Sequence, residues 1–269
     1  MSFSTCDKYR QAIKRLFERA RKNRIINDNP ATDLELPQHT KNTHRALETW
    51  EIEAILNHWN EPGFHAGLWV MIMLLTGIRR GEMMALDWKN VHLDDRVLEI
   101  TQVAVICSNK TIIEQRAKST AGIRTIPLCK PLLDALSSVP ESRRVGFVCL
   151  SAHGHPLTES AVSRGIETFC SGIQRILNGQ PALQQGQRKR LDTDRKSVMF
   201  SFRAHDLRHT FCSMLYSSGV DVKTAAYLMG HSDIRVTMEI YTHLSHEKRN
   251  LSEMQMLSYF DALTAQKTP

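Results

Sequence analysis

The sequence predicts an α+β fold, mainly helical, with a small three-stranded antiparallel sheet near its middle. Three observations carry that expectation. Apolar residues recur every three or four positions through most of the chain, which places an apolar stripe on each of several helices. One stretch, residues 97–128, is instead rich in β-branched residues and is divided by short polar runs. The chain has 269 residues, 42% of them hydrophobic and 23% charged, enough apolar material for a sizeable core and unlike a collagen-like or wholly disordered polymer.

The elements follow in chain order. In residues 9–20, Ile13, Leu16, Phe17 and Ala20 share a face with Lys and Arg between them, an amphipathic basic helix. Asn29-Pro30 ends it, and residues 33–46 carry Pro37 and little periodicity, as a linker does. One helix cannot fold by itself, so the first 45 residues read as an appendage and the compact domain begins after them. Its first helix starts with Thr49 as N-cap, has Glu51 and Glu53 in the first turn, and buries Ile52, Ile55, Leu56 and Trp59. Residues 67–75 are apolar on every side, the mark of a central helix, and stop at Thr76-Gly77, so that Arg79 emerges from the heart of the fold. Residues 97–107, 111–117 and 123–128 read as a three-stranded meander with Lys118 on its second turn. Helical patterns return after Pro131 and over residues 160–177, 204–217, 221–229, 235–241 and 245–262, while the polar, basic residues 178–197 read as a mobile loop.

Lys and Arg number 35 against 28 acids, a net charge of +7, and the isoelectric point is near 9.2. That balance favours a polyanionic partner without naming one. The six cysteines, Cys6, Cys107, Cys129, Cys149, Cys170 and Cys212, form no CxxC pair, which fits a reducing compartment. The longest apolar run, residues 68–75, falls well short of the ~18 residues of a membrane span, and the start lacks a signal-peptide core. A cytoplasmic protein without membrane contact is expected.

The densest polar cluster is His205-Asp206-Leu207-Arg208-His209. On a helix His205 and Arg208 share a face, so an imidazole and a guanidinium can converge on one anion, and the guanidinium fork matches phosphate. A solvated polar turn would use the same letters. His205 and His209 also have the i, i+4 spacing of zinc-binding helices, with His231 or His243 as third ligand, but Asp206 would stand in for the catalytic glutamate and no cysteine or acid completes the set. Arg79 has Glu82 three residues on, either an orienting partner or a surface ion pair. Lys118 is by default a solvated charge, His231 a residue just past a helix end, and Tyr241 half-buried packing.

Taken in order, five segments change the weight of these residues. They are Thr76-Gly77-Ile78-Arg79-Arg80-Gly81-Glu82, Lys118 ahead of Arg124-Thr125-Ile126-Pro127-Leu128, His205-Asp206-Leu207-Arg208-His209-Thr210, Leu228-Met229-Gly230-His231-Ser232, and Ile240-Tyr241-Thr242-His243. Together they resemble the tyrosine recombinases, the family of phage and conjugative-transposon integrases, over residues 46–250. The resemblance implies a mainly helical catalytic domain at residues 46–269 ending in a tail helix. It makes residues 1–45 the last helix of a truncated core-binding domain plus a linker.

The same resemblance implies a DNA strand transferase acting in integration or excision of a mobile element. Tyr241 would attack a backbone phosphate, form a 3′-phosphotyrosyl link and release a 5′-hydroxyl, with His205 as base and Lys118 as acid. Arg79, Arg208 and His231 would stabilise the phosphate oxygens, and Glu82 would support Arg79. No metal and no cofactor are expected: the phosphotyrosyl link conserves the energy of the broken bond, so no ATP is needed, and Arg79, Arg208 and His231 would do what magnesium does elsewhere. The implied partners are double-stranded DNA attachment sites, with Arg188, Lys189 and Arg190 tracking phosphates, a homotetramer on DNA, and an excisionase or DNA-bending accessory protein. Three other readings compete: a catalytically incomplete DNA-binding fragment, a topoisomerase, and a zinc-dependent hydrolase centred on His205 and His209.

Overall fold

A computed structural model of the protein describes residues 3–36, 45–107, 110–115, 123–180 and 198–247. It divides into two compact units, Met1–Thr43 and His44–Pro269. In the first, helix α1 (Phe3–Lys22) begins earlier than the apolar stripe alone predicts. Asp7 accounts for the extension, accepting from Arg10 at 2.6 Å and from Gln11 at 2.8 Å, the i+3 and i+4 pairings that steady a helix surface. The chain then returns along α1, with the Asn29 amide donating to the Lys14 carbonyl at 3.1 Å and the Lys14 ammonium to the Thr32 carbonyl at 2.7 Å.

The second unit opens with α2 (Thr49–His58), whose N-cap is Glu48 and not Thr49 as the sequence suggested. Glu51 decides the frame: it accepts from the Glu48 backbone N–H at 2.9 Å and is gripped by the Arg45 guanidinium at 2.5 and 2.7 Å. A reciprocal box one residue earlier outweighs the threonine. Helix α3 (Gly67–Thr76) is the centre of the core, with Val70, Ile72, Met73 and Leu74 fully buried. It ends where Gly77 turns left-handed (φ 62°) and donates back to the Met73 carbonyl. Short α4 (Arg80–Met84) follows directly.

The strands are β1 (Val91–His92), β2 (Val97–Ile100), β3 (Gln102–Cys107), β4 (Lys110–Gln115) and β5 (Arg124–Pro127). A three-stranded antiparallel sheet is present, but its order is β1-β2-β5, and β3 with β4 forms a separate hairpin. The predicted strand 97–107 breaks at Thr101, whose hydroxyl accepts from the Asn90 amide at 2.9 Å. Packing explains the break. Leu98 and Ile100 of β2 lie on the core, whereas no residue of β3 is buried. Register sets Ile100 opposite Arg124 and Leu98 opposite Ile126, which aims Arg124 and Ile126 to the same buried side.

Helices α5 (Lys130–Ser137), α6 (Glu159–Leu177), α7 (Ala204–Ser217), α8 (Val222–Met229) and α9 (Ile234–Glu247) complete the described unit. Helix α7 packs on α3, and α8 and α9 pack on each other beside α7. The predicted helix 235–241 continues unbroken to Glu247. Most of the expected loop 178–197, the turn holding Lys118, the greater part of the linker and the tail beyond residue 247 lie outside the described residues.

Candidate active site

The site is built on two helix ends. The last carbonyls of a helix have no intrahelical partner and carry the negative end of its dipole, so they attract cations. At the end of α8 three successive carbonyls each take a different arginine. Leu228 accepts from Arg124 Nε at 2.8 Å, Met229 from Arg208 Nη2 at 2.6 Å, and Gly230 from Arg79 Nη2 at 2.7 Å. The end of α3 contributes the Gly77 carbonyl to Arg208 Nη1 at 2.6 Å.

Both turns need glycine. Gly77 and Gly230 have φ of 62° and 65°, where other L-residues are strained, and each lacks room for a side chain. A Cβ on Gly77 would lie 2.3 Å from the Phe211 ring, and one on Gly230 would lie 2.6 Å from Arg124 Nη1. The glycines thus let two backbone ends approach the guanidinium groups closely.

Glu82 is the carboxylate shared by Arg79 and Arg124. It accepts from Arg124 at 3.2 and 2.8 Å, from the Arg79 guanidinium at 3.1 Å and from the Arg79 backbone N–H at 2.8 Å. Its side chain and that of Arg124 are fully enclosed. Burial pushes the Glu82 carboxyl up, but the hydrogen bonds and charge of Arg124, with Arg79 behind them, hold it down at about 2. Arg208 is pushed down to about 9, first by burial and then by the positive charge of Arg79, with Arg124 adding to it and Glu82 opposing it. It remains cationic at neutral pH. Three cations around one carboxylate leave an excess of positive charge with little water to screen it.

That charge opens on a cavity of about 600 Å³. Arg79, Arg80, Arg203, His205 and Arg208 line it with the single acid Glu167, together with apolar Val162, Ile166 and Phe202. His231 follows Gly230, and its Nδ1 lies 2.7 Å from the Thr237 hydroxyl. Burial pushes the His231 imidazole down to about 4, helped by Arg208, Arg79, Arg124 and His205, so the ring is neutral at pH 7. The structure therefore gathers Arg79, Glu82, His205, Arg208 and His231 from three stretches of the chain.

Tyr241 on α9 is placed differently. Its ring meets Tyr216 edge-on at 5.0 Å between centroids, and its hydroxyl donates to the Val220 carbonyl at 3.1 Å. Burial, then Cys212 and Asp221, push this phenol up to about 12. The hydroxyl is held on a backbone carbonyl and not on the arginine cluster, while the residue as a whole stays partly exposed. Lys118, Arg188, Lys189 and Arg190 lie outside the described residues.

Two features were not assigned from sequence. Arg124 was visible only as part of a motif, although it alternates with Ile126 and Leu128 on what reads as a strand, and an arginine in an inward position signals a buried partner. Arg80, which lines the cavity, pairs with Glu159. The zinc reading gains no support: among the described residues no three of His, Cys, Asp and Glu gather into a metal-binding group. Nor is any helix among them long and apolar enough to cross a membrane.

Comparison with known proteins adds an independent finding. Residues 45–248 match the family model described as the phage integrase family. A XerC-like tyrosine recombinase of Caldanaerobacter subterraneus subsp. tengcongensis is 30% identical over 196 residues, 66% of this chain and 46% of that protein. The ICEBs1 integrase of Bacillus subtilis is 23% identical over 251 residues, 88% of this chain and 61% of that one. This chain thus spans about half to three fifths of the length of these two relatives. Among solved structures, the Tn1549 transposon integrase in complex with circular intermediate DNA superposes with a TM-score of 0.72 at 22% identity, covering 96% of this chain and 81% of that one, a likeness of fold.

Proposed function

The chain belongs to the phage integrase family, and we propose that it is a site-specific DNA recombinase that cleaves and rejoins duplex DNA through a 3′-phosphotyrosyl link at Tyr241. The observation that carries this reading is the set of three arginines on the α8 carbonyls with one shared carboxylate, an anion site formed in advance. A phosphodiester at the cavity mouth would supply the missing negative charge.

Attack adds negative charge to the nonbridging phosphate oxygens, and Arg79, Arg208 and neutral His231 would meet it as fixed donors. The phenol first has to leave the Val220 carbonyl. Its proton is held more tightly than usual, so attack needs an acceptor, and His205 on the cavity wall is the proposed base. The leaving 5′-oxygen takes a proton from Lys118. Glu82 and Arg124 hold Arg79 and the α8 end in place and touch no DNA atom.

The test of the whole reading is incubation with nicked suicide duplexes that trap the cleaved state. A protein–DNA adduct that survives denaturation and maps to Tyr241 supports it, while binding without adduct favours the DNA-binding fragment. For Lys118→Ala we expect slow cleavage of ordinary DNA and near-normal cleavage of a substrate with a 5′-bridging sulfur, which leaves without a proton. Equal defects on both substrates would remove the acid role.

Duplex attachment sites are the proposed substrate, with Arg188 to Arg190 following their phosphates. Assembly into a homotetramer on such sites should appear in analytical ultracentrifugation as a complex with the mass of four protomers plus the bound DNA, absent when DNA is left out. A monomer at every DNA concentration would contradict it.

A further inference from the structure

We infer that Thr237 is a positioning residue for the proposed reaction: its buried hydroxyl donates to His231 Nδ1 and so fixes the imidazole as the tautomer that carries its proton on Nε2. This inference rests on the recombinase reading for its functional consequence, though not for its structural content.

The geometry is specific. Thr237 lies in the first turn of α9 and is fully buried, and its Oγ1 is 2.7 Å from His231 Nδ1. Among the described residues Nδ1 is the hydrogen-bond partner of that hydroxyl. A hydroxyl carries one proton that must be donated somewhere, and a neutral imidazole offers one bare nitrogen and one N–H. If Nδ1 bore the proton, the threonine oxygen would accept it and the buried hydroxyl proton would be left without an acceptor among the described residues, a loss of about 1–3 kcal/mol. Thr237, unlike Thr76 and Thr210, makes no bond to the carbonyl four residues back. Donation from Thr237 to a bare Nδ1 satisfies both groups. The remaining nitrogen, Nε2, then carries the hydrogen and becomes a donor.

This matters because a neutral histidine serves as a phosphate donor in only one of its two tautomers. The surroundings keep His231 neutral: it is partly buried and faces the Arg79, Arg124 and Arg208 guanidinium groups as well as His205. Protonation cannot provide the second N–H, so the threonine has to choose the tautomer. The same hydroxyl also links the turn after α8 to the helix that bears Tyr241, which lies four residues on and therefore on the same side of α9.

The test reads the tautomer directly. In protein labelled with 15N-histidine, long-range proton–nitrogen correlation at pH 7 should show His231 with its proton on Nε2. In Thr237→Val, which keeps the shape and removes the donor, we expect a mixture of tautomers and a roughly 10- to 100-fold slower adduct formation on suicide DNA, the usual cost of losing a supporting hydrogen bond. Thr237→Ser should restore both the tautomer and the rate. A proton on Nδ1 in the unmodified protein, or an unchanged tautomer or rate in Thr237→Val, would overturn the inference. The unmodified spectrum decides the tautomer even where the valine variant folds poorly. Absence of adduct from the unmodified protein would count against the recombinase reading while leaving the tautomer result intact.

Discussion

Tyr241→Phe is expected to abolish the covalent protein–DNA adduct while leaving duplex affinity nearly unchanged, since the charged groups proposed to hold the phosphates, which supply most of the affinity, are untouched. The substitution removes one oxygen and keeps the ring that packs edge-on against Tyr216. Stability should fall by about 1 kcal/mol, the value of the lost hydrogen bond to the Val220 carbonyl. Denaturing electrophoresis of suicide-substrate reactions reads the first effect and a gel-shift titration the second. An adduct that persists in the phenylalanine protein would show that another side chain attacks phosphorus.

The largest effect on stability should come from Glu82→Gln. The substitution preserves shape but removes the charge that Arg124 and Arg79 share in an enclosed site. Breaking a buried pair from one side leaves its partner uncompensated, at a cost of about 3–5 kcal/mol. Urea unfolding at pH 7 measures it, and a variant as stable as the parent would show that the pair holds little. The pH dependence gives a second check. The Glu82 carboxyl titrates near 2 in the folded protein against an ordinary 4.5, so its contribution is complete above 4.5 and disappears as pH falls from there toward 2. The stability gap between the parent and the Glu82→Gln variant should therefore narrow across that window.

Some of the site could be read from sequence because its logic is local. His205 and Arg208 are three residues apart on a helix, and Glu82 is three residues from Arg79; each pair faces one way by helical geometry alone. The break at Thr76-Gly77 is likewise written in the letters, since a left-handed helix end favours glycine. The sheet was less legible. Residues 97–107 have uniform β character, and the break at Thr101 arises from Asn90, eleven residues away, and from β3 leaving the core.

Periodicity and spacing act within a few residues of chain, so the letters alone carry most of the helical frame and the local pairs Arg79–Glu82 and His205–Arg208, whereas Tyr241 as nucleophile is an expectation from the resemblance of five ordered segments to a family. Packing between distant segments brings Arg79, Arg124 and Arg208 onto three neighbouring carbonyls of α8 and encloses Glu82 between two of them. It also sets the Tyr241 hydroxyl on Val220 rather than at the arginines. Long-range packing set these pairings: the Arg79 and Arg124 partners at the α8 end lie 151 and 104 residues away along the chain. No local pattern encodes which carbonyl a buried guanidinium will reach when burial obliges it to find one.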